Sequence, residues 1–158
     1  MIGLLSATVS FGALLYLAAL GELITEKSGI LNLGVEGMMA IGAVTGFMVA
    51  LETNNPWIAF LAAIVATAVF ALLHGLFTVV LGAEQVVSGL SLTILGVGLA
   101  AFLGKGAVGR PPGAVLAPVD WGPLSDIPWV GTIFFSQSPV VYFAVLAGIA
   151  VSLLLTHT

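Results

Sequence analysis

Five long runs of apolar residues, separated by shorter polar stretches, dominate the pattern of the chain. Each run approaches the roughly 20 residues that an α-helix needs to cross a lipid bilayer. We therefore predict five transmembrane helices, at residues 2–21, 33–51, 57–82, 86–104 and 139–156. The third run is long enough to tilt within the membrane. The predicted fold class is all-α, a polytopic membrane protein with one long loop at residues 105–138.

The composition points to the same class of protein. The chain is 60% hydrophobic and 6% charged, with a mean hydropathy of +1.24, whereas soluble domains are about a quarter charged. A lipid bilayer is therefore its expected surroundings. The chain has no basic patch for nucleic acid, and the absence of cysteine excludes disulfides and thiolate chemistry. The first run lacks the basic start of a signal peptide and is followed by further runs, so we predict a retained span.

The long loop at residues 105–138 is rich in proline and aromatic residues. Its aromatic side chains include Trp121, Trp129, Phe134 and Phe135. Aromatic residues favour the membrane–water interface, and long loops in compact proteins are usually functional or disordered. We predict an ordered loop that lies on the bilayer surface.

Charge is concentrated in one short stretch, residues 21–39, with the sequence GELITEKSGILNLGVEGMM. Glu22, Glu26 and Lys27 fit a solvated turn between the first two spans. Ser28 and Gly29 are predicted to end the first helix, and Asn32 is a candidate N-cap of the second.

Glu36 differs from these charges because the sequence is already apolar again around it. It follows Asn32 by four residues, a spacing that would place both side chains on one helix face. One interpretation is an acid near the membrane surface, favoured by the helix dipole, that steadies the start of the helix. The other is a polar group that lines a route through the bundle, since acids within membranes tend to be functional. The sequence leaves both open.

Other polar and small residues inside the spans have structural and functional interpretations. For His74, a hydrogen bond to a neighbouring helix is favoured over proton relay. Gln85 and Ser88 fit capping or hydrogen bonding between helices, and lining of the transport route is the sharper hypothesis. Ser91 and Thr93 are expected to bond backbone groups. Gly42 and Gly46 in GAVTG are expected to serve ordinary helix packing rather than a dedicated dimer interface.

Three stretches resemble one protein family. SGILNLGVEGMMAIGA, from Ser28, is similar to the early signature of permease subunits of nucleoside and simple-sugar ABC importers, in the branched-chain amino acid/ribose permease superfamily. Residues 73–99, with the element QVVSGL, resemble the third and fourth spans of this family, and residues 123–142 resemble its outer loop. The three stretches follow the order of the family and cover nearly the whole chain.

The resemblance implies a permease subunit that forms the substrate route, with Asn32, Glu36, Gln85 and Ser88 as candidate route residues. It implies no catalysis, cofactor or metal in this chain, and it implies ATP hydrolysis in separate ABC ATPase subunits. The other implied partners are a second permease subunit and an extracytoplasmic substrate-binding protein. It also implies a bacterial-type cell membrane with the C-terminus in the cytoplasm and residues 105–138 outside.

The chain departs from the family pattern in two ways. Gly82, Ala83 and Glu84 stand where the family commonly has a basic residue and an asparagine before QVVSG. Family members are also about twice as long, so we expect residues 1–158 to be the N-terminal half of a permease domain, as a fragment or a truncated product.

Two other classes of function compete with a permease. A non-transporting membrane scaffold or assembly protein, or an inactive permease fragment, is compatible with the length of the chain. An intramembrane hydrolase would need paired acids, a Ser/His pair or a zinc motif inside the spans. Glu36 and His74 are 38 residues apart without such a companion motif, so a hydrolase is disfavoured.

Overall fold

All regular structure in the described part of the chain, residues 1–157 of a computed structural model, is helical. These residues include five long helices: α1 (Ile2–Lys27), α2 (Val35–Thr53), α3 (Pro56–Gly75), α4 (Gln85–Gly104) and α5 (Pro139–His157). Each of them, α3 together with the helical turn that follows it, is long and apolar enough to cross a membrane. The predicted fold class, an all-α polytopic membrane protein, is confirmed.

The ends of the helices differ from the predicted apolar runs. Helix α1 continues to Lys27, because Glu22, Glu26 and Lys27 are good helix formers although they interrupt the apolar run. The turn predicted at these charges is therefore helical, and the chain leaves the helix at Ser28 and Gly29, as predicted. Gly29 has a φ of +85°, a conformation in which glycine meets no steric penalty.

The third apolar run is one α-helix followed by a π-helical turn. Helix α3 begins where the Asn55 side chain accepts hydrogen bonds from the backbone N–H groups of Trp57 and Ile58, at 3.0 and 3.4 Å. After Gly75 the chain widens into the π-helical turn Leu76–Val80. Such turns inside helices are rare and are often found at functional sites.

The chain forms two compact units, and residues 24–115 make up one of them. In this unit α2 packs against both α3 and α4, around a core of Met38, Ile41, Phe70 and Leu92. Gly42 and Gly46 lie against Ala63 and Thr67 of α3. The prediction that GAVTG serves ordinary helix packing is confirmed.

The other unit comprises residues 1–23 and the chain from Leu116 onward. Its connecting segment before α5 is fixed by Gln137, whose side chain is 2% exposed. The Gln137 amide donates to the Ser6 hydroxyl at 3.0 Å and accepts from the Ser10 hydroxyl at 2.6 Å. Trp121 also packs edge-on against Tyr142 of α5, with ring centroids 5.5 Å apart. These contacts give this part of the loop defined partners, while its order and its location on the bilayer surface remain predictions.

Candidate functional site

A non-helical linker, residues 28–34, connects α1 to α2 and runs along α4. Its backbone is held by side chains of α3 and α4. The Leu31 N–H donates to Gln85 Oε1 at 2.7 Å, and Gln85 Nε2 donates to the Gly29 carbonyl at 3.3 Å. Further along, the Thr93 hydroxyl donates to the Leu33 carbonyl at 2.8 Å. These bonds satisfy polar backbone groups that would be costly to leave unpaired in apolar surroundings.

His74 completes the attachment of the linker. Its side chain is 3% exposed, with Nε2 3.3 Å from the Leu31 carbonyl oxygen and Nδ1 3.1 Å from the Ser88 hydroxyl. A carbonyl oxygen only accepts, so the Nε2 atom must carry the proton of this hydrogen bond. In the neutral ring Nδ1 then accepts from Ser88. The expected hydrogen bond of His74 to a neighbouring helix is confirmed.

Two glycines of α4 allow the linker and α2 to approach its backbone. A Cβ atom on Gly89 would lie 2.8 Å from the Leu33 nitrogen, and one on Gly96 would lie 2.6 Å from the Gly37 carbonyl carbon. Both distances are shorter than real side chains permit. Gly96 thus packs on Gly37, whereas a Cβ atom on Gly98 of the same helix would meet nothing within 4 Å.

These contacts set the depth at which α2 begins. Gly96 is the twelfth residue of the 20-residue helix α4, so it lies about 17 Å from the start of that helix at 1.5 Å per residue. The hydrocarbon core of a bilayer is about 30 Å thick. Because Gly37 packs on Gly96, the first turn of α2 lies level with the middle of α4. The linker before it runs along the first half of α4.

The second contact of α2, with α3, gives the same depth. The Thr67 hydroxyl donates to the Met38 carbonyl at 3.4 Å, and Thr67 is the twelfth residue of α3. At the same rise per residue Thr67 is again about 17 Å from the helix start. Glu36 lies in the first turn of α2, next to Gly37, and its side chain is exposed. An acid therefore stands at the amino end of a helix that starts level with the middle of α3 and α4.

The four candidate route residues lie around this linker. Gln85 and Ser88 contact it from α4, directly and through His74. Asn32 belongs to the linker, and its Oδ1 accepts from the Gly34 N–H at 3.0 Å. Glu36 follows in the first turn of α2. The contacts of Gln85 and Ser88 are hydrogen bonds between segments, as the structural interpretation expected, and their role in a transport route remains a prediction.

The assignment of Asn32 as the N-cap of α2 is wrong. Gly34 occupies the cap position, and Asn32 turns the chain two residues earlier through its bond to the Gly34 N–H. The chain stays non-helical here because Thr93 holds the Leu33 carbonyl, which a helix would use internally. Asn32 and Glu36 are thus not neighbours on one helix face, and the spacing argument for them fails.

Other polar residues of α4 behave largely as expected. Ser91 donates to the Val87 carbonyl of its own helix at 2.7 Å, and Thr93 bonds the linker backbone, so both bond backbone groups as predicted. Glu84, which stands where the family pattern has other residues, caps α4 by accepting from the Val86 and Val87 N–H groups. Only the position of Glu84 before an apolar run could have indicated this role.

An open apolar groove of about 350 Å³ lies beside the site, between the π-helical turn and α4. Phe77, Val87 and Leu95 contribute to its walls, and Ser88 reaches it from the linker attachment. Among residues 1–157, no group of three or more His, Asp or Glu side chains is arranged to hold a metal ion.

Five helices long and apolar enough to cross a membrane, one of them preceded by a hydrogen-bonded linker, define a multi-pass helical membrane protein. Residues 4–158 match the model of the family described as branched-chain amino acid transport system / permease component. The chain belongs to this family.

Three curated relatives are similar to the chain. It is 43% identical over 150 residues to a putative glucose ABC transporter permease of Haloferax volcanii, covering 92% of this chain and 45% of the relative. It is 38% identical to the guanosine ABC transporter permease of Bacillus subtilis, over 89% of this chain and 47% of the relative. It is 32% identical to a nucleoside ABC transporter permease of Lactococcus lactis, over 82% of this chain and 44% of the relative. The chain thus spans about half the length of these relatives. No solved structure matches it.

Proposed function

We propose that this chain is part of the transmembrane permease of an ABC importer for nucleosides or related simple sugars. The relatives named above are permeases for glucose, guanosine and nucleosides. The family assignment supports a transport subunit that binds no nucleotide itself, with ATP hydrolysis in partner ATPases. A second permease subunit and an extracytoplasmic substrate-binding protein complete the proposed assembly.

The observation that carries the proposal is that the linker runs along the first half of α4 and that Glu36 lies level with the middle of α3 and α4. We infer from this level that both lie at membrane depth. Non-helical backbone at membrane depth is tolerated only where protein buries it or where it lines an aqueous cavity. A carboxylate near the bilayer centre costs at least ~2.5 kcal/mol when it faces lipid. Because the Glu36 side chain is exposed on its unit, polar surroundings such as a transport route or a partner subunit are favoured over lipid.

The proposed substrates suit this site chemically. Nucleosides and simple sugars are uncharged and rich in hydroxyl groups, which donate hydrogen bonds to a carboxylate. Bonds of this kind are shorter and about twice as strong as those between neutral groups. Glu36 is the proposed acceptor, and Asn32, Gln85 and Ser88 are the other proposed route residues. Broken helices at the membrane midplane serve substrate binding in many secondary transporters, which supports the same placement by analogy.

The proposed orientation places the C-terminus and the linker end of α1 in the cytoplasm. The loop at residues 105–138 is then outside, where it would meet the substrate-binding protein. The family resemblance carries this orientation, since the few basic residues of the chain do not decide it.

Deletion of the gene for this chain tests the proposed function. Deletion should abolish ATP-dependent uptake of labelled guanosine, glucose or both, and the intact gene should restore the uptake. Excess unlabelled substrate identifies the cargo by competition, and an unrelated amino acid serves as the control. Unchanged uptake of every nucleoside and sugar tested would refute the proposal and favour a non-transporting membrane assembly protein.

A further inference from the structure

His74 holds a position that neither the family assignment nor the four candidate route residues explain. Its ring bonds two different elements: the Leu31 carbonyl of the linker and the Ser88 hydroxyl of α4. The Leu31 N–H is held in turn by Gln85. Both backbone polar groups of Leu31 are therefore fixed by side chains of other helices.

We propose that His74 is a positioning residue of the permease, which fixes Leu31 and thereby the path of the linker to Glu36. The effect of His74 on transport rests on the proposed function, whereas its effect on the linker rests only on the hydrogen bonds described above. Glu36 follows Leu31 by five residues, and the chain between them is non-helical up to Val35, where α2 begins. Movement at Leu31 would therefore change the place at which α2 begins.

The two ring nitrogens have separate tasks in this arrangement. The Nε2–H group donates to the Leu31 carbonyl and holds the linker. The Ser88 hydroxyl donates to Nδ1 and keeps the ring in this tautomer and orientation. A proton relay would pass the proton on to a partner that can take it up, whereas Nε2 of this 3% exposed ring faces the backbone carbonyl of Leu31.

The backbone around His74 is itself fixed. His74 lies one residue before the end of α3, and its carbonyl accepts from the Thr78 hydroxyl at 2.8 Å across the start of the π-helical turn. The ring therefore projects from a defined point of the chain. A positioning role requires such a fixed origin, because a mobile side chain would not hold the linker.

Two substitutions separate the two tasks of the ring. In His74→Gln the side-chain amide lies near the former Nε2 atom, so it can donate to Leu31 while the Ser88 bond is lost. In His74→Asn the shorter amide lies near the former Nδ1 atom, so it can meet Ser88 while the Leu31 bond is lost. Ser91→Ala serves as a control, because Ser91 bonds its own helix.

The first measurement reports the linker without requiring transport. The chain contains no cysteine, so Leu33→Cys places a single nitroxide label on the linker, at a side chain that is 42% exposed. We expect restricted label motion in the parent and in His74→Gln, and faster motion in His74→Asn. A label at Leu61→Cys, on the exposed face of α3, should not respond to either substitution. Equal motion at Leu33→Cys in all three proteins would overturn the proposal.

The second measurement is substrate uptake in the deletion cells, normalised to the amount of protein in the membrane. His74→Asn should reduce uptake roughly tenfold, the effect of one lost hydrogen bond and an unpaired carbonyl. His74→Gln and Ser91→Ala should retain most of it. Equal loss in His74→Asn and His74→Gln would overturn the assignment to the Leu31 bond. Failure of the proposed function would give a different result. The parent would then show no uptake, while the label at Leu33→Cys would still move faster in His74→Asn than in the parent and in His74→Gln.

Discussion

Replacement of Gly96 with alanine should push α2 away from α4. The added Cβ would lie 2.6 Å from the Gly37 carbonyl carbon and 2.7 Å from its Cα, whereas ordinary contacts begin near 3.4 Å. Both atoms belong to the backbone, so no flexible side chain can move aside. The two helices must separate by about 0.5–1 Å, and such a gap forfeits a quarter to a half of each dispersion contact that crosses it.

The cost follows from the neighbouring core residue Leu92, which is 4% exposed. A buried leucine makes about 40–60 contacts of roughly 0.1–0.2 kcal/mol each. If about a third of them cross to α2, the gap costs about 0.3–2 kcal/mol at Leu92 alone. With the other contacts of the crossing, we expect a loss of about 1–3 kcal/mol, as for other overpacked cores.

The assay is reversible unfolding of the purified protein in mixed micelles of detergent and SDS, followed by circular dichroism. Gly98→Ala is the matched control, because a Cβ there meets nothing within 4 Å on the same helix. The control should be unchanged or slightly more stable, since alanine favours helix over glycine. If Gly96→Ala proved as stable as Gly98→Ala, the close approach of α2 and α4 would be refuted.

Two further predictions concern the orientation of the chain and its other unit. A cysteine at Ser125 should react with an impermeant thiol reagent on intact cells and one at Ser28 should not, whereas the reverse labelling would contradict the proposed orientation. Gln137→Leu should lower the free energy of unfolding by about 1–3 kcal/mol, because the half-buried hydroxyls of Ser6 and Ser10 lose their hydrogen bonds to the Gln137 amide; a stability equal to that of the parent in the same micelles would show that these bonds contribute nothing.

The helices were predictable from the sequence because the bilayer imposes a simple length rule on apolar segments. All five predicted helices are present, and α1 ends just before Ser28 and Gly29, as expected where a glycine follows a helical segment. The charged residues before them misled the prediction of the helix end. Hydropathy reports where a segment leaves the lipid, whereas Glu22 to Lys27 continue a helix beyond that point.

The site was only partly predictable, because its contacts join residues far apart in the chain. Local rules suggested Asn32 as a helix cap, and they failed since the Leu33 carbonyl is held by Thr93, 60 residues later. The hydrogen bonds of Leu31 to His74 and Gln85 join residues 43 and 54 positions apart, and no periodic pattern in the sequence indicates such pairs. The polar residue types in apolar runs did identify His74, Gln85 and Ser88 as residues that needed partners.

The central claim is that Glu36, at the start of α2 near mid-membrane depth, contacts substrate in a transport route. Its most direct test is uptake of labelled nucleoside by the Glu36→Gln variant in the deletion cells, at equal abundance in the membrane. Glu52→Gln is the matched control, an exposed acid at the other end of the same helix. A charge-assisted hydrogen bond contributes about 1.5–3 kcal/mol, so uptake at low substrate concentration should fall by roughly ten- to a hundredfold in Glu36→Gln and stay near the parent level in Glu52→Gln. Uptake by Glu36→Gln equal to that of the parent would contradict the claim and leave Glu36 a structural residue of the first turn of α2.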